Sequence, residues 1–138
     1  MPDEASDWFA ASDAHGLDRI FLVSPSSTDE RIVATAAACR GWLYATAVMG
    51  VTGTRDASSS AAPELVSRIR ALAPETLVGV GLGVSNGDQA ADVARFADGV
   101  IVGSAFIKPA LAADDAGTPD DLSGIRAVLG DLVAGVRR

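Results

Sequence analysis

Two glycine turns follow neighbouring apolar segments near the middle of this chain. Residues 78–81 and 100–102 are short apolar runs bounded by glycines, which is typical of strands buried on both faces of a sheet. Gly83 comes just beyond the first run, and Gly103 and Ser104 come just beyond the second. Because the carboxyl ends of parallel strands meet at one edge of a sheet, the backbone N–H groups of both turns can converge on one anion. The pattern predicts a phosphate-binding site.

Four strand–helix units are predicted to position these turns. The strands are predicted at residues 19–23, 42–46, 78–81 and 100–102. Helices alternate with them, which is typical of parallel βα units, and a helix at residues 3–15 precedes the first strand. A complete (β/α)8 barrel needs eight strands and about 250 residues. The 138 residues are therefore predicted to form one α/β domain, residues 1–138, with the architecture of half a TIM barrel.

Capping and proline signals predict where the helices begin. Residues 27–30 form a predicted capping box, and Ser85 is the predicted N-cap of the helix that follows the first glycine turn. Pro63 is predicted in the first turn of another helix, which leaves residues 49–60 as a long loop of the kind that forms lids and binding loops. Thr118, followed by a proline, predicts the start of the last helix.

Charge and composition exclude several classes of partner. The net charge is −7 and Lys108 is the only lysine, which argues against nucleic acid and anionic membranes. No apolar run reaches the roughly 18 residues of a membrane span, and no signal-peptide pattern opens the chain, so a cytoplasmic location is expected. The single cysteine, Cys39, excludes an internal disulfide and a cysteine-based zinc site. A phosphorylated small molecule remains compatible, because backbone amides and helix dipoles hold anions without a basic cluster.

Four segments carry a resemblance to a known family. They are GLDRIFLVSPSST at 16–28, MGVTG at 49–53, GVGLGVS at 79–85 and ADGVIVGSAFI at 97–107. In this order and spacing they resemble the tryptophan synthase alpha subunits, and the similarity covers nearly the whole chain. Compared with that family, the chain supplies strands five to eight of the barrel with their helices, which is the C-terminal half.

The resemblance implies a lyase of tryptophan biosynthesis that cleaves indole-3-glycerol phosphate to indole and glyceraldehyde 3-phosphate. It implies a partner, the pyridoxal-phosphate-dependent beta subunit, and no cofactor or metal for this chain itself. Thr52 matches a threonine on a loop that folds over the substrate, and Tyr44 matches a tyrosine at the indole end of the pocket. The residues implied to hold the substrate phosphate through their backbone amides are Gly53, Gly83, Gly103 and Ser104.

The two catalytic carboxylates of this family belong to the upstream half of the barrel. The cleavage needs proton transfers at the indole ring and at the glycerol hydroxyl, so acid–base groups must face each other across the substrate. Among the acids of this chain, only Asp56 is predicted on a loop at the catalytic end, and it has no acidic partner there. The chain is therefore expected to bind phosphate and to need a complementing half for turnover.

Two other functions also fit the residues. One is a stand-alone phosphate-binding half-barrel without catalysis, and the other is a different phosphate-binding barrel enzyme, such as a phosphoribosyl isomerase. In each case, half a barrel exposes two sheet edges, at residues 19–23 and 100–102, and the apolar face that would fill a closed barrel. Open edges promote association. Self-association, or pairing with an upstream half, is expected.

Overall fold

A computed structural model of the protein describes residues 2–46, 55–81 and 83–138. Within these ranges, helices alternate with strands after a short 3-10 helix at Pro2–Glu4. The α-helices are α1 (Ser6–Ala14), α2 (Asp29–Ala38), α3 (Arg55–Leu72), α4 (Gly87–Ala94), α5 (Ser104–Asp115) and α6 (Ser123–Val136). The strands are β1 (Leu22–Val23), β2 (Trp42–Thr46), β3 (Leu77–Gly81) and β4 (Gly99–Val100). None of the helices so described is long and apolar enough to cross a membrane.

The strands pair in parallel in the order β1-β2-β3-β4, as the alternation of strands and helices predicts. The two central strands are paired along their full length, whereas each edge strand is only two residues long. Both edges are shorter than predicted. On the β1 side, Arg19 instead forms an isolated antiparallel bridge with Arg40, so regular pairing starts only at Leu22.

The hydrophobic core lies between one face of the sheet and the helix layer. Alternate strand residues point to this face, and all five are at most 2% exposed: Val23, Leu43, Ala45, Val78 and Val80. The helices pack buried aliphatic side chains against them, among which are Ile32 of α2, Ile69 of α3, Val93 of α4 and Leu132 of α6. Burial on this face therefore holds the helices against the strands.

The opposite face of the sheet carries large apolar side chains that remain accessible. Leu22 and Leu77 on this face are 60% and 57% exposed, and Trp42 and Tyr44 are half-buried. A shallow cavity of about 290 Å³ runs along it beside Trp42. Parallel sheets are normally covered on both faces, and in a closed barrel this face would fill the interior. We call it the open face.

We expect this chain to self-associate at micromolar concentration, because the open face and two unpaired edges favour contacts with another copy. Size-exclusion chromatography with light scattering measures this directly. A Leu77→Lys variant places a charge on the open face at the start of a central strand, at a side chain that is already more than half exposed. It should lower the apparent mass without unfolding the chain.

The matched control is Leu129→Lys on α6, where the leucine is similarly exposed, at 50%, but belongs to the helix layer. It should leave the apparent mass unchanged. A monomeric parent chain at micromolar concentration would contradict the expectation, as would equal effects of the two substitutions.

Two helix caps lie one residue later than the sequence predicts. Thr28 caps α2 by accepting the N–H of Arg31 at 3.3 Å, and Asn86 caps α4 by accepting the N–H of Gln89 at 2.9 Å. In both places the preceding residue is a serine that can also cap a helix. Extended backbone at Thr28 and Asn86 decides the choice, because it aims their side chains at the third helical N–H.

The start of α3 differs more from the prediction. The helix begins at Arg55, so Pro63 lies inside it and the predicted loop over residues 49–60 is helical from residue 55 onward. A proline inside a helix removes one N–H donor. Ala62 and Leu65, on either side of Pro63, are almost fully buried in the core, and this packing holds the helix together across the missing bond.

The start of α6 also lies later than predicted, at Ser123 and not after Thr118. A turn precedes it, in which the N–H of Asp121 donates to the carbonyl of Thr118 at 2.9 Å. The Asp121 carboxylate then accepts the N–H of Ser123 at 2.9 Å. Hydrogen bonds from Ser123 hold the pKa of Asp121 below its usual range.

Candidate anion-binding site

The two glycine turns lie side by side at the carboxyl edge of the sheet. β3 and β4 pair with Gly79 opposite Gly99, and Ile101 continues the ladder by donating its N–H to the Val80 carbonyl at 2.9 Å. Gly83 follows the carboxyl end of β3, and Gly103 follows the carboxyl end of β4. Because the two strands run parallel, both turns lie at the same edge of the sheet.

Gly83 has a backbone that favours glycine. Its φ of +68° lies in the left-handed region, while a Cβ at this position would meet nothing within 4 Å. Conformation, and not space, is therefore what selects glycine here. The residue is exposed, and the next one, Val84, is only 4% exposed and anchors the turn in the core.

Gly103 and Ser104 form the N-terminus of α5. Gly103 is the N-cap and Ser104 is the first helical residue, and both are exposed. No side chain caps this helix end. The first N–H groups of a helix have no partner within it and lie at the positive end of the helix dipole. This end of α5 can therefore donate hydrogen bonds to an anion from solvent.

Tyr44 lies on the open face, opposite Leu22 of β1 and Gly79 of β3. Its ring stacks on that of Trp42, with the ring centroids 6.0 Å apart and an angle of 30° between the ring planes. A Cβ on Gly81 would lie only 2.8 Å from Cζ of Tyr44. The ring thus occupies the space that glycine leaves at the end of β3, directly before the Gly83 turn.

The other two predicted site residues, Thr52 and Gly53, lie outside the described residues. Of the six, the structure places Gly83, Gly103 and Ser104 at one sheet edge, and Tyr44 on the open face beneath that edge.

One described carboxylate borders the open face, at the amino end of the sheet. Asp98 lines the cavity beside Trp42, accepts the N–H of Val78 at 2.8 Å and pairs with Arg70 at 3.1 Å. Asp13 of α1 pairs with two arginines at the base of β1 and β2. Strand alternation puts these uncharged residues on the open face: Leu22, Trp42, Tyr44, Thr46, Leu77, Gly79, Gly81, Gly99 and Ile101. These positions supply no acid–base pair.

The surroundings of Cys39 are those of an unreactive thiol. Its sulfur accepts the N–H of Phe21 at 3.3 Å, and partial burial raises its pKa. A reactive cysteine needs a lowered pKa. Among the residues that the structure describes, no group of three or more His, Cys, Asp or Glu side chains could hold a metal ion.

One contact between α6 and the start of α4 is not indicated by the sequence pattern. Asp131 of α6 accepts the N–H of Gly87, the first residue of α4, at 2.7 Å. An acidic residue in the middle of a predicted helix gives no indication of the neighbour that it faces. Glycines at positions 87 and 135 were the available signal, since glycine in a helix often marks a close approach of two backbones.

Comparisons with known proteins agree on one family. The family model for the tryptophan synthase alpha chain matches residues 1–122. A tryptophan synthase alpha chain from Acidothermus cellulolyticus is 58% identical over 138 residues, which cover 100% of this chain and 50% of the relative. A second, from Mycobacteroides abscessus, is 56% identical over 138 residues, covering 100% of this chain and 49% of the relative. The chain spans about half the length of the curated relatives that it matches.

Solved structures give the same result. The structure of Mycobacterium tuberculosis tryptophan synthase in space group F222 superimposes with a TM-score of 0.80 at 52% identity, covering 100% of this chain and 49% of the other. The alpha subunit from Legionella pneumophila gives a TM-score of 0.72 at 31% identity, covering 99% and 48%. The four parallel strands and their helices are half of a TIM barrel. The chain belongs to the family of tryptophan synthase alpha chains.

Proposed function

We propose that this chain is the phosphate-binding half of a lyase that cleaves indole-3-glycerol phosphate to indole and glyceraldehyde 3-phosphate in tryptophan biosynthesis. The observation that carries the proposal is the register that brings the Gly83 and Gly103 turns to one sheet edge in a chain of this family. The N–H groups of Gly83, Gly103 and Ser104 donate to the substrate phosphate, and Gly53 adds another donor.

Phosphate binding at this site does not depend on a cationic side chain. The protein has a net charge of −7, so its overall field repels anions. Backbone N–H groups and the positive end of α5 offset that repulsion locally. Hydrogen bonds to a charged group contribute about 1.5–3 kcal/mol each before the entropic cost of binding. Three of them contribute about 4.5–9 kcal/mol before that cost, and a Kd of about 1 mM needs about 4 kcal/mol net, so we expect inorganic phosphate to bind with a millimolar or weaker Kd.

The open face provides an apolar surface for the indole ring. Tyr44 stacks on Trp42, and the pair forms an aromatic wall below the glycine turns. Thr52 belongs to the loop that closes over the substrate. We further propose that the assembled protein passes indole to a beta subunit in the cytoplasm, and that it binds neither nucleic acid nor membranes.

The chemistry comes from the other half of the barrel. Cleavage breaks the bond between the indole ring and the glycerol chain, the ring takes up a proton and a glycerol hydroxyl loses one. The open-face positions listed above carry no charged group that could move these protons. The carboxylates are therefore supplied by the upstream half, in line with the family's pattern.

Complementation tests this proposal. The chain is mixed with a separately produced upstream half of an alpha chain from this family, and indole release from indole-3-glycerol phosphate is followed. We expect activity from the mixture and none from either half alone. An upstream half in which both catalytic carboxylates are replaced by amides is the control, and it should pair without releasing indole.

A stand-alone phosphate-binding half-barrel is the second candidate, and the uncharged open face favours it. That function predicts phosphate binding by the chain alone, with no indole release in any mixture. Failure of every tested upstream half to restore activity, in mixtures shown to form a complex, would therefore reject the lyase proposal in favour of this one.

A further inference from the structure

Helix α6 packs against the two helices that follow the glycine turns. These are α4, which follows the Gly83 turn, and α5, which begins at the Gly103 turn. The two helices thus share one neighbour, and the position of α6 affects both.

The contact between α6 and α4 is made at the first residue of α4. Asp131 accepts the N–H of Gly87 at 2.7 Å, and a Cβ on Gly87 would lie 2.5 Å from the Asp131 carbonyl oxygen. One turn further along α6, a Cβ on Gly135 would overlap the Gly87 carbonyl oxygen. A carboxylate therefore holds this backbone amide while two turns of α6 pack directly on it.

The segment between α4 and Gly83 has little freedom to absorb a movement. Val84 is 4% exposed and belongs to the core. Ser85 donates its N–H to the side-chain oxygen of Gln89 at 2.8 Å, and Asn86 caps α4. The position of the first residue of α4 is consequently passed on to Gly83.

The contact between α6 and α5 lies near the opposite end of α6. A Cβ on Gly124 would lie 2.8 Å from Cβ of Pro109, inside α5. The start of α6 thus contacts the helix that begins at Gly103, and its second half contacts the helix that follows Gly83.

We infer that Asp131 is a positioning residue for anion binding: by holding the N-terminus of α4, its carboxylate sets the Gly83 turn against the Gly103 turn. The inference rests on the proposed function, since it concerns the same phosphate site. By its charge alone, the Asp131 carboxylate would weaken phosphate binding, because like charges repel. A positioning role and a purely electrostatic role therefore predict opposite effects when the carboxylate is removed.

The test is a titration with inorganic phosphate, followed through the amide NMR signals of Gly83 and Gly103. Asp131→Ala should weaken phosphate binding about fivefold. Asp131→Asn keeps an oxygen acceptor for the Gly87 N–H and should restore the affinity to within about twofold of the parent. Asp88→Ala is the matched control, because Asp88 lies in the first turn of α4 but pairs with Arg138 at 2.6 Å. It should not weaken binding.

Two results would overturn the inference: Asp131→Ala binding phosphate as tightly as the parent or more tightly, or Asp131→Asn binding as weakly as Asp131→Ala. A parent chain that binds no phosphate rejects the proposed function instead. The ligand-free spectra then decide the positioning role by themselves. Asp131→Ala should shift the Gly83 amide signal and Asp88→Ala should not; an unmoved Gly83 signal in Asp131→Ala overturns the inference.

Discussion

A Gly103→Asp variant will bind phosphate at least about fivefold more weakly than the parent chain, while its fold stays intact. The new carboxylate would stand at the N-cap of α5, where the proposed site places the phosphate. Two unit charges 4 Å apart repel by about 1–4 kcal/mol between water and a protein surface, and about 1.4 kcal/mol is a factor of ten in Kd. Titration of both proteins with inorganic phosphate measures the effect.

The fold should tolerate this substitution because position 103 has room for a side chain. Gly103 is exposed, its φ of −123° is open to any residue, and a Cβ there meets nothing within 4 Å. Substitutions at exposed positions with room for the side chain change the free energy of unfolding by about 0.5 kcal/mol or less, and we expect the same here. Loss of binding in this variant therefore reports on the site and not on stability.

The control for Gly103→Asp is Gly103→Ser, which adds a short polar side chain without charge. It should keep the phosphate Kd within about threefold of the parent, since the backbone donors remain. Raising the salt concentration should also reduce the difference in phosphate Kd between the aspartate variant and the parent, because ions screen exposed charges. An aspartate variant with the parent's Kd would remove the N-terminus of α5 from the proposed site.

Gly135→Ala should destabilise the protein by about 1–3 kcal/mol, the largest stability effect that we expect from adding one methyl group at a glycine that the structure describes. The added Cβ would overlap the Gly87 carbonyl oxygen and lie 2.7 Å from the Gly87 Cα. These are backbone atoms of α4, which cannot rotate away as a side chain can. The two helices must separate, and buried contacts between them are lost. Urea denaturation measures the change.

Gly130→Ala, in the same helix, should have the opposite sign. A Cβ at position 130 meets nothing within 4 Å, and the residue is exposed. Alanine is favoured over glycine inside a helix by about 0.5–1 kcal/mol. Comparing the two substitutions therefore separates the effect of helix propensity on stability from the effect of close packing between α6 and α4. Equal effects of the two substitutions would mean that the close approach of α6 to α4 does not exist in solution.

Local signals in the sequence were sufficient for much of the fold. The alternation of apolar strands with capped helices predicted four parallel strands, and β2 begins and ends where expected, at Trp42 and Thr46. The helix caps were predicted to within one residue at Thr28 and Asn86. Each of these features depends on residues that are close together in the chain, so the pattern of residue types reveals it.

In the candidate site, too, the features that depend on nearby residues could be predicted from the sequence. The glycine turns at Gly83 and Gly103 could be recognised from the sequence, because a left-handed φ and an open helix N-terminus are properties of single residues. Their presence at one edge of the sheet depends on the parallel pairing of β3 with β4. The alternation of helix and strand implies such a pairing between successive strands.

What only the tertiary structure decided concerns contacts between residues far apart in the chain. Asp131 holds Gly87 across 44 positions, and no periodicity in either helix indicates this partner. The extension of α3 through Pro63 depends on burial of its flanking residues, which overrides the local signal of a proline. The same physical reason applies to both: a sequence pattern shows which side chains tend to be buried, but the assembled helices and strands determine which atoms they meet.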